Sequence, residues 1–157
     1  VLIGEAPGAN EDLQGIPFCG DSGQLLDNYF ASIGLKRDKN IIISNSVFWR
    51  PPANRKPTPE EVAICRPFVE RLIALLAPKV IILVGSVAAS CVLNEARAMS
   101  HLRRNWVDYT NQYLKYTIPT TVMFHPAYLL RQPSQKKVCW FDLLHIEKKL
   151  LQLKVSL

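Results

Sequence analysis

Val80-Ile-Ile-Leu-Val84 is an unbroken apolar run, and Gly85 closes it at once. A strand with one wet face alternates apolar and polar residues. A run with no polar position belongs in a sheet covered on both faces, and such sheets are parallel ones flanked by helices. The rest of the chain repeats that logic. Val1-Leu-Ile ends in a Gly/Pro turn from Gly4 to Gly8, and Asn40-Ile-Ile-Ile-Ser44 reads as a second strand. Between them, residues 22–33 carry Leu25, Leu26, Tyr29, Phe30 and Ile33 at helical spacing, with Ser22 predicted as N-cap and Gly34 as C-cap. Thr58-Pro-Glu-Glu61 starts a helix running to about Leu76, with Thr as N-cap, Pro at the first helical position and Glu61 closing a capping box. Gly85 opens a helix toward Arg97, and a loop with His101, Arg103 and Arg104 follows. Residues 113–118 and 120–124 are strand-like, broken by Pro119; Pro126–Arg131 is a short helical turn, and residues 134–153 form a last amphipathic helix. The expected fold is α/β, a sheet between helix layers, in a single domain over residues 1–157.

The length of 157 residues suits one domain. With 48% hydrophobic and 20% charged residues, the chain can bury a core and is no disordered tail. Its longest apolar run is far short of the roughly 20 residues of a membrane span, so no membrane role is expected. Nineteen Lys and Arg against 13 Asp and Glu give +6, a balance that suits a polyanionic partner such as nucleic acid. Cys19, Cys65, Cys91 and Cys139 form no C-x-x-C pair, so no zinc knuckle is encoded locally, and Cys91 is expected to be a buried thiol. Few cysteines and no signal-peptide pattern point to a reducing cytoplasm. The chain opens on a strand without a Met, from which we expect an upstream segment beyond this sequence.

In parallel sheets, ligands bind at the carboxyl ends of the strands. Gly4-Glu-Ala-Pro-Gly8, Asn45 to Arg55, Gly85-Ser86 and His125 to Arg131 all fall there. The glycines allow close backbone approach to a ligand, although a tight turn alone would account for them. Phe18, in Gly15-Ile-Pro-Phe-Cys-Gly20, is either a core residue or a stacking platform for a base. Asn45 is either a turn residue or an amide that donates and accepts at once, as the edge of a pyrimidine requires. Arg50-Pro-Pro-Ala-Asn-Arg-Lys56, stiffened by prolines and carrying three cations, is a solvated charged loop or a nucleic-acid contact. His125, followed by Pro126, is a structural strand-end residue or a group that stabilises a departing anion. Leu129, Leu130 and Arg131 suit a wedge in a base stack beside a phosphate contact, or a helical turn packed on the core.

Taken together these segments resemble the uracil-DNA glycosylase superfamily, most of all its family 4, the thermophile-type and phage DNA polymerase-related glycosylases. The likeness rests on Gly4-Glu-Ala-Pro-Gly-Ala-Asn-Glu-Asp12, Gly15-Ile-Pro-Phe-Cys-Gly-Asp-Ser-Gly-Gln-Leu-Leu26, Asn45, Arg50-Pro-Pro-Ala-Asn-Arg55, Cys65-Arg-Pro-Phe68 and His125-Pro-Ala-Tyr-Leu-Leu-Arg131. It implies a three-layer α/β/α fold with a central four-stranded parallel sheet. It implies an enzyme that flips uracil out of DNA and hydrolyses its N-glycosidic bond, here as a monomer on uracil-containing DNA. Phe18 would stack on the flipped base, Asn45 would read its polar edge, and Gly4 and Ala6 would line the same site. His125 would stabilise the leaving anion. Another branch carries a water-activating Asp where Ala6 stands, so Glu5 would position water or act electrostatically. Arg50, Arg55, Leu129, Leu130 and Arg131 would meet the DNA.

The chain departs from the family where four cysteines usually hold a [4Fe–4S] cluster. Cys65 matches one of them, but Trp49 stands where another belongs and cannot ligate iron. We therefore expect no intact cluster, with the indole filling part of its place. Cys19 and Asp21 replace residues that are commonly apolar and basic. His101-Leu-Arg-Arg104 only loosely echoes the basic loop of the branch that forms a covalent DNA adduct, and that activity is not assigned. Two rival readings remain at this stage: a catalytically inactive DNA- or nucleotide-binding module on the same fold, and an enzyme acting on a different base such as hypoxanthine or mismatched thymine.

Overall fold

The computed structural model describes residues 1–94, 97 and 99–157. Along the chain run β1 (Leu2–Gly4), α1 (Ala9–Gln14), α2 (Gly20–Ala31), β2 (Ile43–Asn45), α3 (Pro59–Leu76), β3 (Ile81–Val84), α4 (Ser86–Leu93), α5 (Met99–Leu102), β4 (Val107–Tyr109), β5 (Ile118–Met123), α6 (Pro126–Arg131) and α7 (Lys136–Gln152). The sheet order is β2-β1-β3-β5-β4. The first four of these strands in space are parallel, and β4 is antiparallel to β5. The sheet thus has five strands rather than the expected four. The reason lies in β5, whose Ile118 and Pro119 run ahead of the first β3 pair, Ile81 with Thr120. Tyr109 and Asp108 pair with that overhang. Pro119, which has no N–H to donate, therefore continues the strand without costing β3 a ladder bond.

Alternation on the strands builds the layers. Leu2, Ile82, Val84 and Met123 face one core, closed by Leu26 and Phe30 of α2, Leu129 of α6 and Leu143, Ile146 and Leu150 of α7. Ile3, Ile81, Leu83 and Val122 face the other, closed by Val69 and Ile73 of α3, Ala89 and Val92 of α4 and Leu102 of α5. Each fully buried Leu or Ile is worth about 1.5–3 kcal/mol of transfer free energy, so the three layers hold without a disulfide.

Local signals decide the ends. The α3 capping box forms as read: Glu61 N–H donates to Thr58 Oγ1 at 3.2 Å, and Thr58 N–H donates to Glu61 Oε2 at 2.9 Å. For α2, the N-cap is Cys19, not Ser22, because the Glu11 carboxylate already accepts the Cys19 N–H. The expected loop at His101 is the helical turn α5 up to Leu102. The helix α4 stops at Asn94, which takes a left-handed conformation. Its expected continuation toward Arg97 crosses residues 95 and 96, which lie outside the described residues. Cys91 is half-buried rather than buried.

Candidate active site

The chain leaves β1 toward β2 on one side and later returns to β3 on the other, so the carboxyl ends of β1 and β3 form a switch point where connections diverge. A cleft of about 800 Å³ opens there. All four strand-end segments reach it: Glu5 to Gly8 after β1, Asn45 ending β2, Gly85 to Val87 after β3, and Phe124, His125, Ala127, Tyr128 and Arg131 after β5. The volume lies toward the upper end of ligand clefts, which span about 300–1,000 Å³, and leaves room beyond a single base.

Phe18 and Asn45 form the floor. Phe18 is only 6% exposed, yet its ring lines the cleft. Its backbone lies at φ +52°, a conformation a side chain of this size adopts at a cost of about 1–2 kcal/mol. Gly4 permits the arrangement: a Cβ there would stand 2.4 Å from Phe18 Cε2 and 2.7 Å from Asn45 Oδ1. Asn45 is 8% exposed and pairs in register with Gly4. Among the described residues, no hydrogen bond engages its side-chain amide, whereas its neighbour Ser46 is bonded to Gly4 O at 2.7 Å. The amide opens onto the cleft and is left to pair with whatever enters it.

His125 forms the wall. It is the N-cap of α6, and its Nδ1 accepts the Ala127 N–H at 3.1 Å. With Nδ1 accepting, the neutral ring carries its proton on Nε2. Burial pushes the pKa of His125 down, and the Arg131 cation pushes it further, so the neutral form holds through neutral pH. The His125 and Phe18 ring centroids lie 5.5 Å apart. Gly85, at φ +91°, lets β3 turn into α4 against this ring; a Cβ would meet His125 Cβ at 3.3 Å. The amino end of α4 therefore faces the same space and favours negative charge there.

Glu5 and Ala6 line the side next to β1. Burial raises the Glu5 carboxyl above its usual range, and Lys56 partly opposes the shift. Glu11 is the residue that reading the sequence missed. Its two oxygens accept Gly8 N–H and Cys19 N–H, each at 3.1 Å, tying the β1 turn to the Phe18 loop. Its place three residues after Gly8 was the available signal. Met99 and Tyr128 also line the cleft, where the sequence offered no signal for them, and Lys56 of the basic loop lines it too.

The DNA-contact expectations divide. Arg131 and Arg55 line the cleft, Arg55 while holding Glu61 through Nη2 at 2.7 Å and Nη1 at 3.1 Å. Arg50 donates to Asn54 Oδ1 at 2.8 Å and is not on the lining. Leu129 is corrected: it is 0% exposed and packs in the core between α2 and α7, so it is no wedge. Leu130 is exposed beside it. Trp49 is 45% exposed and fills no interior gap, contrary to expectation, while Cys65 is buried on α3. Among the described residues, no group of three or more His, Cys, Asp or Glu is placed to hold a metal. Of the two cluster positions that fall within residues 1–157, Cys65 could ligate iron and Trp49 could not.

Residues 1–144 match the sequence model of the uracil DNA glycosylase superfamily. The chain is 37% identical over 141 residues to a type-4 uracil-DNA glycosylase of Archaeoglobus fulgidus, covering 87% of this chain and 69% of that one. It is 39% identical over 137 residues to one from Thermotoga maritima, covering 87% and 68%. It is 33% identical over 159 residues to one from Sulfurisphaera tokodaii, covering 99% and 70%.

Proposed function

This chain belongs to the uracil DNA glycosylase superfamily, and on that premise we propose how its cleft removes uracil from DNA. It is a DNA-repair hydrolase that cleaves the N-glycosidic bond of deoxyuridine and leaves an abasic site. The flipped base lies on the Phe18 ring, and the Asn45 amide pairs with its polar edge. Cleavage breaks C1′–N1 and sends the bonding pair into the base, with charge spreading onto its carbonyl oxygens. The Nε2–H of neutral His125 donates to that charge. Water then adds to the oxocarbenium-like C1′, oriented by Glu5, which favours the positive sugar; the C1′–O bond forms as the water gives up a proton, which ends on the uracil anion. Preorganised donors of this kind are worth about 10²–10³ in rate each. Arg55, Lys56 and Arg131 rim the cleft and hold phosphates, with Leu130 alone beside the opened stack.

The observation that carries this reading is His125, whose Nδ1 accepts the Ala127 N–H and so leaves Nε2 to carry the proton, on the wall of a cleft floored by an aromatic ring and an unengaged amide. No step runs through an iron–sulfur cluster, for which the described residues offer no ligand set. We further propose that the protein carries no intact cluster, works as a monomer and resides in the cytoplasm. In support of the last, its four cysteines are free thiols, and no helix among the described residues is long and apolar enough to cross a membrane.

The test is single-turnover release of uracil from a uracil-containing oligonucleotide, with protein in excess. Wild-type release should exceed that of His125→Ala by about 10²-fold or more, while DNA binding changes little. Equal losses in release and binding would sink the leaving-group role. No release from folded wild-type protein that still binds the oligonucleotide would point to a binding module.

A further inference from the structure

Phe18 holds a strained backbone on a loop between two helices, and something outside the cleft must keep it there. Two features do so. Gly23 of α2 leaves space for the Phe18 carbonyl: a Cβ on Gly23 would stand 2.0 Å from that oxygen. Arg37, in the turn beyond α2, then closes on the loop from outside. Its Nη1 donates to Pro17 O at 2.6 Å, its Nη2 to Phe18 O at 2.5 Å, and its Nε to Asp27 Oδ1 at 2.7 Å. Two consecutive carbonyls aimed at one point repel each other unless a cation lies between them. The planar guanidinium meets both and still has Nε for the carboxylate that orients it, a geometry a single ammonium cannot reproduce. Every guanidinium nitrogen of Arg37 thus has an acceptor within the protein, and Arg37 is not among the residues lining the cleft. It is placed to fix Phe18, not to touch DNA.

We propose that Arg37, oriented by Asp27, is a positioning residue that locks the Phe18 ring in its base-stacking attitude. This rests on the reading of Phe18 as the base platform. The experiment compares Arg37→Ala, Arg37→Lys, Phe18→Ala and the Arg37/Phe18 double alanine variant. Each is measured by single-turnover uracil release, by binding to an oligonucleotide carrying an abasic-site analogue, and by thermal melting. Arg37→Ala should slow release about 10- to 100-fold, the cost of a reacting base misplaced by about 1 Å. Binding to the abasic analogue, which presents no base to stack, should change less than about threefold, since no phosphate contact is lost. Guanidinium ion at millimolar concentration should restore part of the rate to Arg37→Ala and nothing to Phe18→Ala. The double variant should be no slower than Phe18→Ala, because both changes remove one device.

Additive losses, or weakened DNA binding with an unchanged rate once bound, would overturn the proposal by making Arg37 a DNA contact. So would a wild-type rate in Arg37→Ala while Phe18→Ala is slow. If Phe18→Ala itself keeps the wild-type rate, the platform reading fails and the positioning role falls with it. Should Arg37→Ala not fold, Arg37→Lys carries the decision. Slow release with near-normal melting supports the fork geometry, and a normal rate refutes it.

Discussion

Gly4→Ala adds one methyl group at the point where β1 meets the floor of the cleft. The new carbon would stand 2.4 and 2.5 Å from Phe18 Cε2 and Cζ, and 2.7 Å from Asn45 Oδ1. Carbon atoms rest at about 3.5–4.0 Å, so the ring must retreat by about 1 Å or more and the amide must swing away. The ring has little freedom to retreat, because it is packed into the core between α2 and α6. Overpacking of this kind costs about 1–3 kcal/mol, and replacing a strand glycine returns about 0.5–1 kcal/mol. For a chain of this size the net loss lowers the melting temperature by less than about 10 °C, and the fold survives. Excision does not tolerate the same shift: a base seat moved by about 1 Å should release uracil about 10²-fold more slowly. Gly15→Ala is the control. It has φ +70° and nothing within 4 Å, so it should cost about 1–2 kcal/mol of stability and no rate. The assay pairs single-turnover uracil release with urea melts of both variants. Release by Gly4→Ala within about threefold of wild type would refute the assignment of Phe18 and Asn45 as the base seat.

Asn45→Asp should lose selectivity for uracil over cytosine, because a carboxylate cannot donate to the base; an unchanged uracil-to-cytosine excision ratio would refute the role. Burial raises the Glu5 pKa, so excision should climb with pH along an acid limb centred above 4.5, and Glu5→Gln should abolish that limb. Stability runs the other way at Glu5: the native state holds this proton more tightly than the unfolded chain, so its contribution fades as pH rises from 4.5 through the raised value. His125 has the opposite linkage. Its lowered pKa means that protein stability falls as pH drops below 6.5, and His125→Gln should flatten that decline in melts across pH. Asp142 is 2% exposed and holds Arg103 through two contacts at 2.8 Å; Asp142→Ala strands a buried cation and should cost about 3–5 kcal/mol in chemical denaturation, so a loss under about 1 kcal/mol would refute the pair's structural role.

Legibility in the sequence followed the range of the physics. The α3 helix was readable from Thr58 to Leu76 because its capping box, first-position proline and apolar spacing are all local. The three-layer plan was readable because Val80 to Val84 admits no wet face. The strand β4 was not, since Val107-Asp-Tyr109 is too short to show alternation and exists only by pairing with the overhang of β5. Leu129 misled for a related reason: a Leu-Leu-Arg run on a short helix puts one leucine inside and one outside, and only the packing of α6 against α2 decides which. Phe18, Asn45 and His125 stood out as candidates and are brought together in one cleft. The devices that hold them did not, because Glu11 and Arg37 act through backbone groups, which no residue pattern displays.

The sheet order also sets a timetable. Gly4 finds Asn45 only when β1 and β2 pair, and Leu2 meets Ile82 only after a far longer loop has closed. His125 reaches the cleft last, on a strand that must first dock on β3. Each closure costs loop entropy before any contact rewards it, and such non-local pairings form late. The base seat of Phe18 and Asn45 lies within the first 45 residues, whereas His125 joins it only when β5 docks on β3. The group that would stabilise the departing base and the seat that would hold it therefore come from opposite halves of the chain, and only the finished sheet brings them together.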